Sequence, residues 1–226
     1  MKELMKLGTA IIPNNGGELL LLQREDEFSI KLSGSRGVLM NSRVYNSEQE
    51  LAKLGCAHIK NKDSAEVLVG GLGMGYTLAT ALQCVSASSR VTVAELIPEV
   101  VEWNRGPLGE CAGKPLDDNR SHVQLGDIAD LIKQQQPSFD VILLDVDNGP
   151  EGITNRDNDW LYSPTGLSGL YNSLRPQGML AVWSAGPVAQ FITQLKKAGF
   201  KVTDKTVRAR AGGKGGRHTI FLAKKP

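Results

Sequence analysis

Four apolar, β-branched runs of this 226-residue chain each end in a glycine or an acid. Val67-Leu68-Val69 meets Gly70, and Val91-Thr92-Val93-Ala94 meets Glu95. Val123-Gln124-Leu125 meets Gly126-Asp127, and Val141-Ile142-Leu143-Leu144 meets Asp145. Such runs read as buried parallel strands, and ligands of open α/β sheets lie beyond the carboxyl ends of the strands. The first run continues as Gly70-Gly71-Leu72-Gly73-Met74-Gly75 and leads into a helix-like stretch from Tyr76 to Val85. Glycines spaced this way permit positive φ and let a ligand lie against bare main chain; a plain strand-to-helix turn is the alternative. Glu95 follows Gly75 by about 20 residues, the place of an acid that accepts hydrogen bonds from ribose hydroxyls. Asp127 can accept from an exocyclic adenine amine, with the Ile128 N–H beside it for a ring nitrogen. Asp145 falls where the reacting end of a bound nucleoside would lie. Its alternative role is to cap a neighbouring helix.

Elements must hold these groups in place. Residues 1–46 read as a small β-hairpin element, with strand patterns at Glu18–Glu25 and Phe28–Leu32 and a turn at Asn14-Asn15-Gly16-Gly17. Too small to stand alone, it is expected to pack on the main domain or on a second copy of the chain. Ser47-Glu48-Gln49-Glu50 has the capping-box pattern of a helix that runs to His58. Residues 47–226 then alternate strand and helix. The strands are Val67–Gly70, Val91–Glu95, Val123–Leu125, Phe139–Leu144, Met179–Trp183, Lys201–Val207 and His218–Ala223. The last two are joined without a helix, so they are expected to be antiparallel. The fold class is α/β: a seven-stranded, mostly parallel Rossmann-like sheet with helices on both faces. Gly152 to Ser163 is a polar loop that carries Trp160 and Tyr162, and it reads either as a lid over the site or as a surface loop.

Composition removes several function classes. A hydrophobic share of 41% can build a core, and a net charge of +2 gives no electrostatic footprint for nucleic acid or an anionic membrane. Arg208, Arg210, Lys214 and Arg217 flank a hairpin and read as a solvated face. Cys56, Cys84 and Cys111 form no metal pattern with His58, His122 or His218, so no metal is expected. Free thiols, no signal peptide and no long apolar run make the cytoplasm the expected location.

The strand count, antiparallel end and acid-ended strands resemble the S-adenosylmethionine-dependent methyltransferase fold. Within it, the stretch from Leu19 to Trp183 resembles the spermidine synthases. The resemblance rests on the β-element before the glycine motif, the helix from Ser47, and Val67 to Gly75. It also rests on Val93-Ala94-Glu95, Gly126-Asp127, Phe139 to Asp145 and Leu174-Arg175-Pro176-Gln177-Gly178. It implies S-adenosylmethionine or its decarboxylated form as co-substrate and a small acceptor, such as a polyamine or another amine. A homodimer is also expected. Gly70, Gly71, Gly73, Met74, Gly75, Glu95, Asp127, Ile128 and Asp145 would bind the donor. Asp145, with Asp147 second, would serve the acceptor amine. Met74 stands where the family's G-G-G-D-G-G motif has an Asp suited to the free amine of the decarboxylated donor. The D-x-x-D signature becomes Asp145-Val146-Asp147-Asn148. Met74 leans the expectation to methyl transfer, with aminopropyl transfer close behind and a non-catalytic nucleoside-binding protein as a further alternative.

Overall fold

A computed structural model describes residues 3–13, 16–35, 37–133, 136–146 and 159–226. The N-terminal element is larger than a hairpin. Strands β1 (Met5–Ile12), β2 (Gly17–Arg24), β3 (Glu27–Leu32) and β4 (Met40–Asn41) form one antiparallel sheet in sequence order. Its inward residues Ala10, Ile12, Leu19, Leu21 and Ile30 join the apolar cluster of the main body. A Cβ added at Gly8 would come within 2.7 Å of the Trp103 indole nitrogen, so β1 lies tightly on the helix that carries Trp103. The expected packing on the main domain is therefore present.

The main sheet holds β5 (Glu66–Gly70), β6 (Arg90–Glu95), β7 (Ser121–Leu125), β8 (Phe139–Leu144), β9 (Leu174–Ser184), β10 (Lys201–Arg210) and β11 (Lys214–Lys224). Their order across the sheet is β10-β11-β9-β8-β5-β6-β7. β7, β6, β5, β8 and β9 run parallel, while β11 is antiparallel to β9 and to β10. The chain starts this sheet at β5, builds outward to β7, and returns to the other side of β5 with β8. The order reverses there, which opens a crevice at the carboxyl ends of β5 and β8. Gly70 and Asp145 stand at that point, and the Asp145 N–H donates to the Gly70 carbonyl at 2.9 Å.

Both faces of the sheet are covered, which explains its continuous apolar runs. Val67, Val69, Val141 and Leu143 face α1 (Asn46–Cys56), α2 (Tyr76–Cys84) and α3 (Pro98–Arg105). Leu68, Ile142 and Leu144 face α4 (Ile128–Lys133), α5 (Asp159–Tyr162), α6 (Pro164–Ser173) and α7 (Ala189–Lys197). α1 lies close against the sheet, because a Cβ at Gly55 would run into Leu143 and Ala181. That contact carries the N-terminal end of α1 to the rim of the crevice.

Two local expectations change. The capping box does not form: Tyr45 is the N-cap residue and no side chain caps α1. Ser47 is buried inside the first turn, where its hydroxyl meets the neighbouring Glu48 carboxylate and, across the fold, His218. Trp160 and Tyr162 do not reach over the crevice. Tyr162 packs edge-on against Phe191, with ring centroids 5.6 Å apart, and both aromatics belong to the apolar cluster under α5 to α7. The lid expected over Gly152 to Ser163 otherwise falls on residues outside those described.

Candidate active site

The glycine motif forms a tight loop between β5 and α2, held from two sides. Gly71 (φ +87°) and Gly73 (φ +51°) adopt the left-handed region. A Cβ on Gly71 would sit 2.5 Å from the Asp145 carbonyl oxygen, so only glycine lets β5 and β8 end this close together. Glu95, at the end of β6, accepts from the Leu72 N–H through Oε2 and from the Ile97 N–H through Oε1, both at 2.9 Å. From α3, the Asn104 side-chain amide donates to the Gly73 carbonyl at 2.8 Å. Burial pushes the Glu95 carboxyl up, against the backbone N–H groups that favour its charge.

Glu95 lines a narrow cavity of about 110 Å3 together with Gly71, Gly73, Asp127, Ile128 and Asp145. The strand-end residues expected to meet a nucleoside are thus on one wall. Asp127 Oδ1 also accepts from the Ala129 N–H at 2.8 Å, so it starts α4 as well. A second cavity, of about 500 Å3, shares Leu39, Met40, Gly73 and Asp145 with the first. Its wall adds Glu48, Met74, Tyr76, Trp183, Arg210 and His218. Met74 is 5% exposed and belongs to the apolar cluster, so its thioether is largely a packing group.

Two carboxylates face this larger cavity. The Thr77 hydroxyl, in the first turn of α2, donates to Asp145 Oδ2 at 2.6 Å. The same hydroxyl lies 3.5 Å from the Glu48 carbonyl. Burial raises the Asp145 carboxyl to about 6, against the hydrogen bond from Thr77. Glu48 rises to about 7, first through burial and then through the negative charge of Asp145, while the Ser47 hydroxyl opposes the rise. That hydroxyl donates to Glu48 Oε2 at 2.7 Å and sits 2.9 Å from His218 Nδ1. The His218 ring meets Trp183 edge-on, with centroids 4.6 Å apart.

The alternative role of Asp145 as a helix cap is not what is found, since its carboxyl meets a hydroxyl of α2 rather than the free N–H groups of a helix end. Gly70 and Gly75 belong to the same loop without lining either cavity. Gly75 is the left-handed N-cap of α2. Asp147 lies outside the described residues, as does Asn148-Gly149-Pro150. The sequence reading missed Glu48, Thr77 and His218. Glu48 was absorbed into the capping-box pattern, and His218 lies within the last strand with no local signal. Among the described residues no group of three or more His, Cys, Asp or Glu is arranged to hold a metal ion.

With this geometry in view, the comparisons with known proteins become decisive. The model of the spermine/spermidine synthase domain matches residues 47–206. The chain belongs to the spermine/spermidine synthase family. Within that family it is 26% identical over 129 residues to the polyamine aminopropyltransferase of Sulfolobus acidocaldarius. The match covers 57% of this chain and 41% of that enzyme, so the chain spans about two fifths of that relative's length. Among solved structures, it resembles a spermidine synthase in complex with the transition-state analogue AdoDATO, with a TM-score of 0.73 and 16% identity. That likeness covers 98% of this chain and 72% of that one. For the spermidine synthase of Thermotoga maritima the TM-score is 0.76 at 17% identity, covering 98% and 73%. For a probable spermidine synthase of Corynebacterium glutamicum it is 0.65 at 15%, covering 96% and 79%. At these identities the structural likeness shows the shared Rossmann-like fold. Among the described residues, no helix is long and apolar enough to cross a membrane.

Proposed function

We propose that this protein transfers an aminopropyl group from decarboxylated S-adenosylmethionine to a small amine. The observation that carries the reading is the pair Glu48 and Asp145 on the wall of the larger cavity, which joins the narrow cleft at Asp145. Two carboxylates beside each other attract cations and repel anions. The decarboxylated donor brings a sulfonium and a free ammonium, and an aliphatic amine arrives as a second cation. The carboxylate of undecarboxylated S-adenosylmethionine would meet the same two acids across Gly73 and Met74. The narrow cleft then takes the nucleoside, with Glu95 for the ribose and Asp127 with the Ile128 N–H for the base. Asp145, at the junction, holds the acceptor's cation near the reacting carbon. Proximity supplies much of the rate, because the sulfonium needs no further activation.

Methyl transfer is the second reading, favoured by Met74 in place of the motif's Asp. The family match and the aminopropyltransferase relative favour the aminopropyl reading instead. The buried, packed position of Met74 also makes it a poor guide to the donor. The test is product analysis. Protein is incubated with each donor and a panel of aliphatic diamines and polyamines. Release of 5′-methylthioadenosine with an elongated amine supports the proposal. S-adenosylhomocysteine with a methylated amine supports the second reading and sinks the first.

A further inference from the structure

The aminopropyl reading uses Glu48 only for its negative charge and gives it no part in moving a proton. Glu48 comes from α1, outside the glycine motif and outside the strand ends. It lines the same cavity as Asp145, whose carboxyl is tied to the Thr77 hydroxyl that also approaches the Glu48 main-chain carbonyl. An acceptor amine reaches the site as an ammonium, since its free pKa is near ~10. It must lose a proton before its lone pair can attack. We propose that Glu48 is the general base of this chain: it takes the proton of the acceptor's ammonium while Asp145 keeps the charge that holds the amine, and Ser47 and His218 position it.

The geometry supports that division of labour. Glu48 Oε2 is fixed by the Ser47 hydroxyl at 2.7 Å, and the hydroxyl is fixed in turn by His218 Nδ1 at 2.9 Å. Ser47 is fully buried, so this bracket is not a surface accident. Among the described residues, Asp145 has a side-chain donor in Thr77 and no second bracket of this kind. The groups that face Glu48 are Ser47 on its own helix, Tyr76 and Thr77 on α2, Asp145 at the end of β8, Arg210 on β10 and His218 on β11. Tyr76 donates to the Ser42 carbonyl at 2.8 Å and stacks on Tyr45, so it is engaged elsewhere. Burial and the Asp145 charge leave Glu48 protonating near neutral pH, where a base for an amine works best. The step balances. The ammonium N–H breaks and its proton bonds to Glu48. The nitrogen lone pair then forms the new C–N bond, the C–S bond breaks, and its electron pair stays on sulfur as a neutral thioether. The proton leaves to solvent between turnovers.

This inference rests on the aminopropyl reading, and two experiments keep them apart. The first follows the side-chain carboxyl carbons of protein labelled with 13C in Glu and Asp, from about pH 4 to about pH 9. One glutamate should titrate near 7 and vanish in Glu48→Gln. Its midpoint should rise in Ser47→Ala, which removes a bond to the charged form, and fall in Asp145→Asn, which removes the neighbouring charge. The second measures turnover. With the donor at saturation, Glu48→Gln should lower kcat on the order of 100-fold, as expected for loss of a general base. Glu48→Asp should restore part of it, and Glu50→Gln, a glutamate paired with Lys53, should change nothing. The inference is overturned by a Glu48 that titrates like a free carboxylate, by midpoint shifts of the wrong sign, or by a Glu48→Gln variant within threefold of wild type. A wild-type protein that elongates no amine overturns the aminopropyl reading, and the base with it. An active wild type with an active Glu48→Gln overturns the base alone.

Discussion

Gly71→Ala tests how closely the glycine loop and Asp145 depend on each other. Two costs add at this position. A side chain at φ +87° occupies left-handed backbone, which costs about 1–2 kcal/mol for an alanine. The new Cβ also lands 2.5 Å from the Asp145 carbonyl oxygen, a backbone atom that can move only by shifting the end of β8. Overpacking of that kind costs about 1–3 kcal/mol. Together they come to about 3 kcal/mol, a fall in Tm on the order of 10 °C for a chain of this size. Gly113→Ala provides the control. Gly113 has φ +76° but nothing within 4 Å of its added Cβ, so only the backbone cost of about 1 kcal/mol remains. Thermal melts followed by circular dichroism give the stability difference, and calorimetric titration with decarboxylated S-adenosylmethionine gives the affinity. Gly71→Ala should lose at least about tenfold in affinity, or about 1.4 kcal/mol, while Gly113→Ala keeps it. Equal melting losses in the two variants, with equal donor affinity, would refute the claim that β5, the loop and Asp145 form one unit.

Thr77→Val removes the hydroxyl that favours the charged form of Asp145. The Asp145 carboxyl should then rise above about 6, and the acidic limb of the rate profile should move to higher pH. Asp140→Asn tests the ion cluster at the start of β8. Asp140 binds Lys62, the Glu66 N–H at 2.9 Å and Arg175 at 2.8 Å. Burial works against its charge, but these partners outweigh burial and hold its carboxyl below the usual range. Its stabilisation is therefore present above the unfolded value and fades as pH falls through the lower folded one. Denaturant unfolding should show a loss of about 2 kcal/mol at neutral pH that closes below about pH 4. Tyr162→Ala, in the cluster under α5 to α7, should cost about 3 kcal/mol of stability and leave the KM for the amine unchanged. A raised KM with normal stability would restore the lid reading of that residue.

The sheet was legible because its strands are buried on both faces. Such strands become continuous apolar runs, and their ends carry Gly70, Glu95, Asp127 and Asp145 in plain view. Glu95, Asp127 and Asp145 gather on the narrow cleft because a parallel sheet brings its carboxyl ends to one side. The wider cavity was not legible. Glu48, Thr77 and His218 come from α1, α2 and β11, and only the packing of α1 at Gly55 against β8 and β9 brings the first of them to the rim. Ser47 misled for a related reason. Its local pattern fits a cap, but its buried hydroxyl bonds to the adjacent Glu48 carboxylate and meets His218 on β11 instead of the helix end. Trp160 and Tyr162 misled because an aromatic in a polar stretch reads as a ligand cover. Here it anchors the short helix α5 to Phe191. Met74 fills an apolar cluster at a position where the motif has an acid, so the local sequence speaks of packing while Glu48 and Asp145 bring the acids to a wall that also carries Arg210.

The most direct test titrates the protein with S-adenosylmethionine and with its decarboxylated form, side by side, in a calorimeter. Two carboxylates on the cavity wall predict tighter binding of the decarboxylated donor, by about tenfold or more, with a preference that weakens as pH falls through the range where Glu48 and Asp145 gain protons. Tighter binding of S-adenosylmethionine, or equal binding of both at every pH, would contradict aminopropyl transfer at this site.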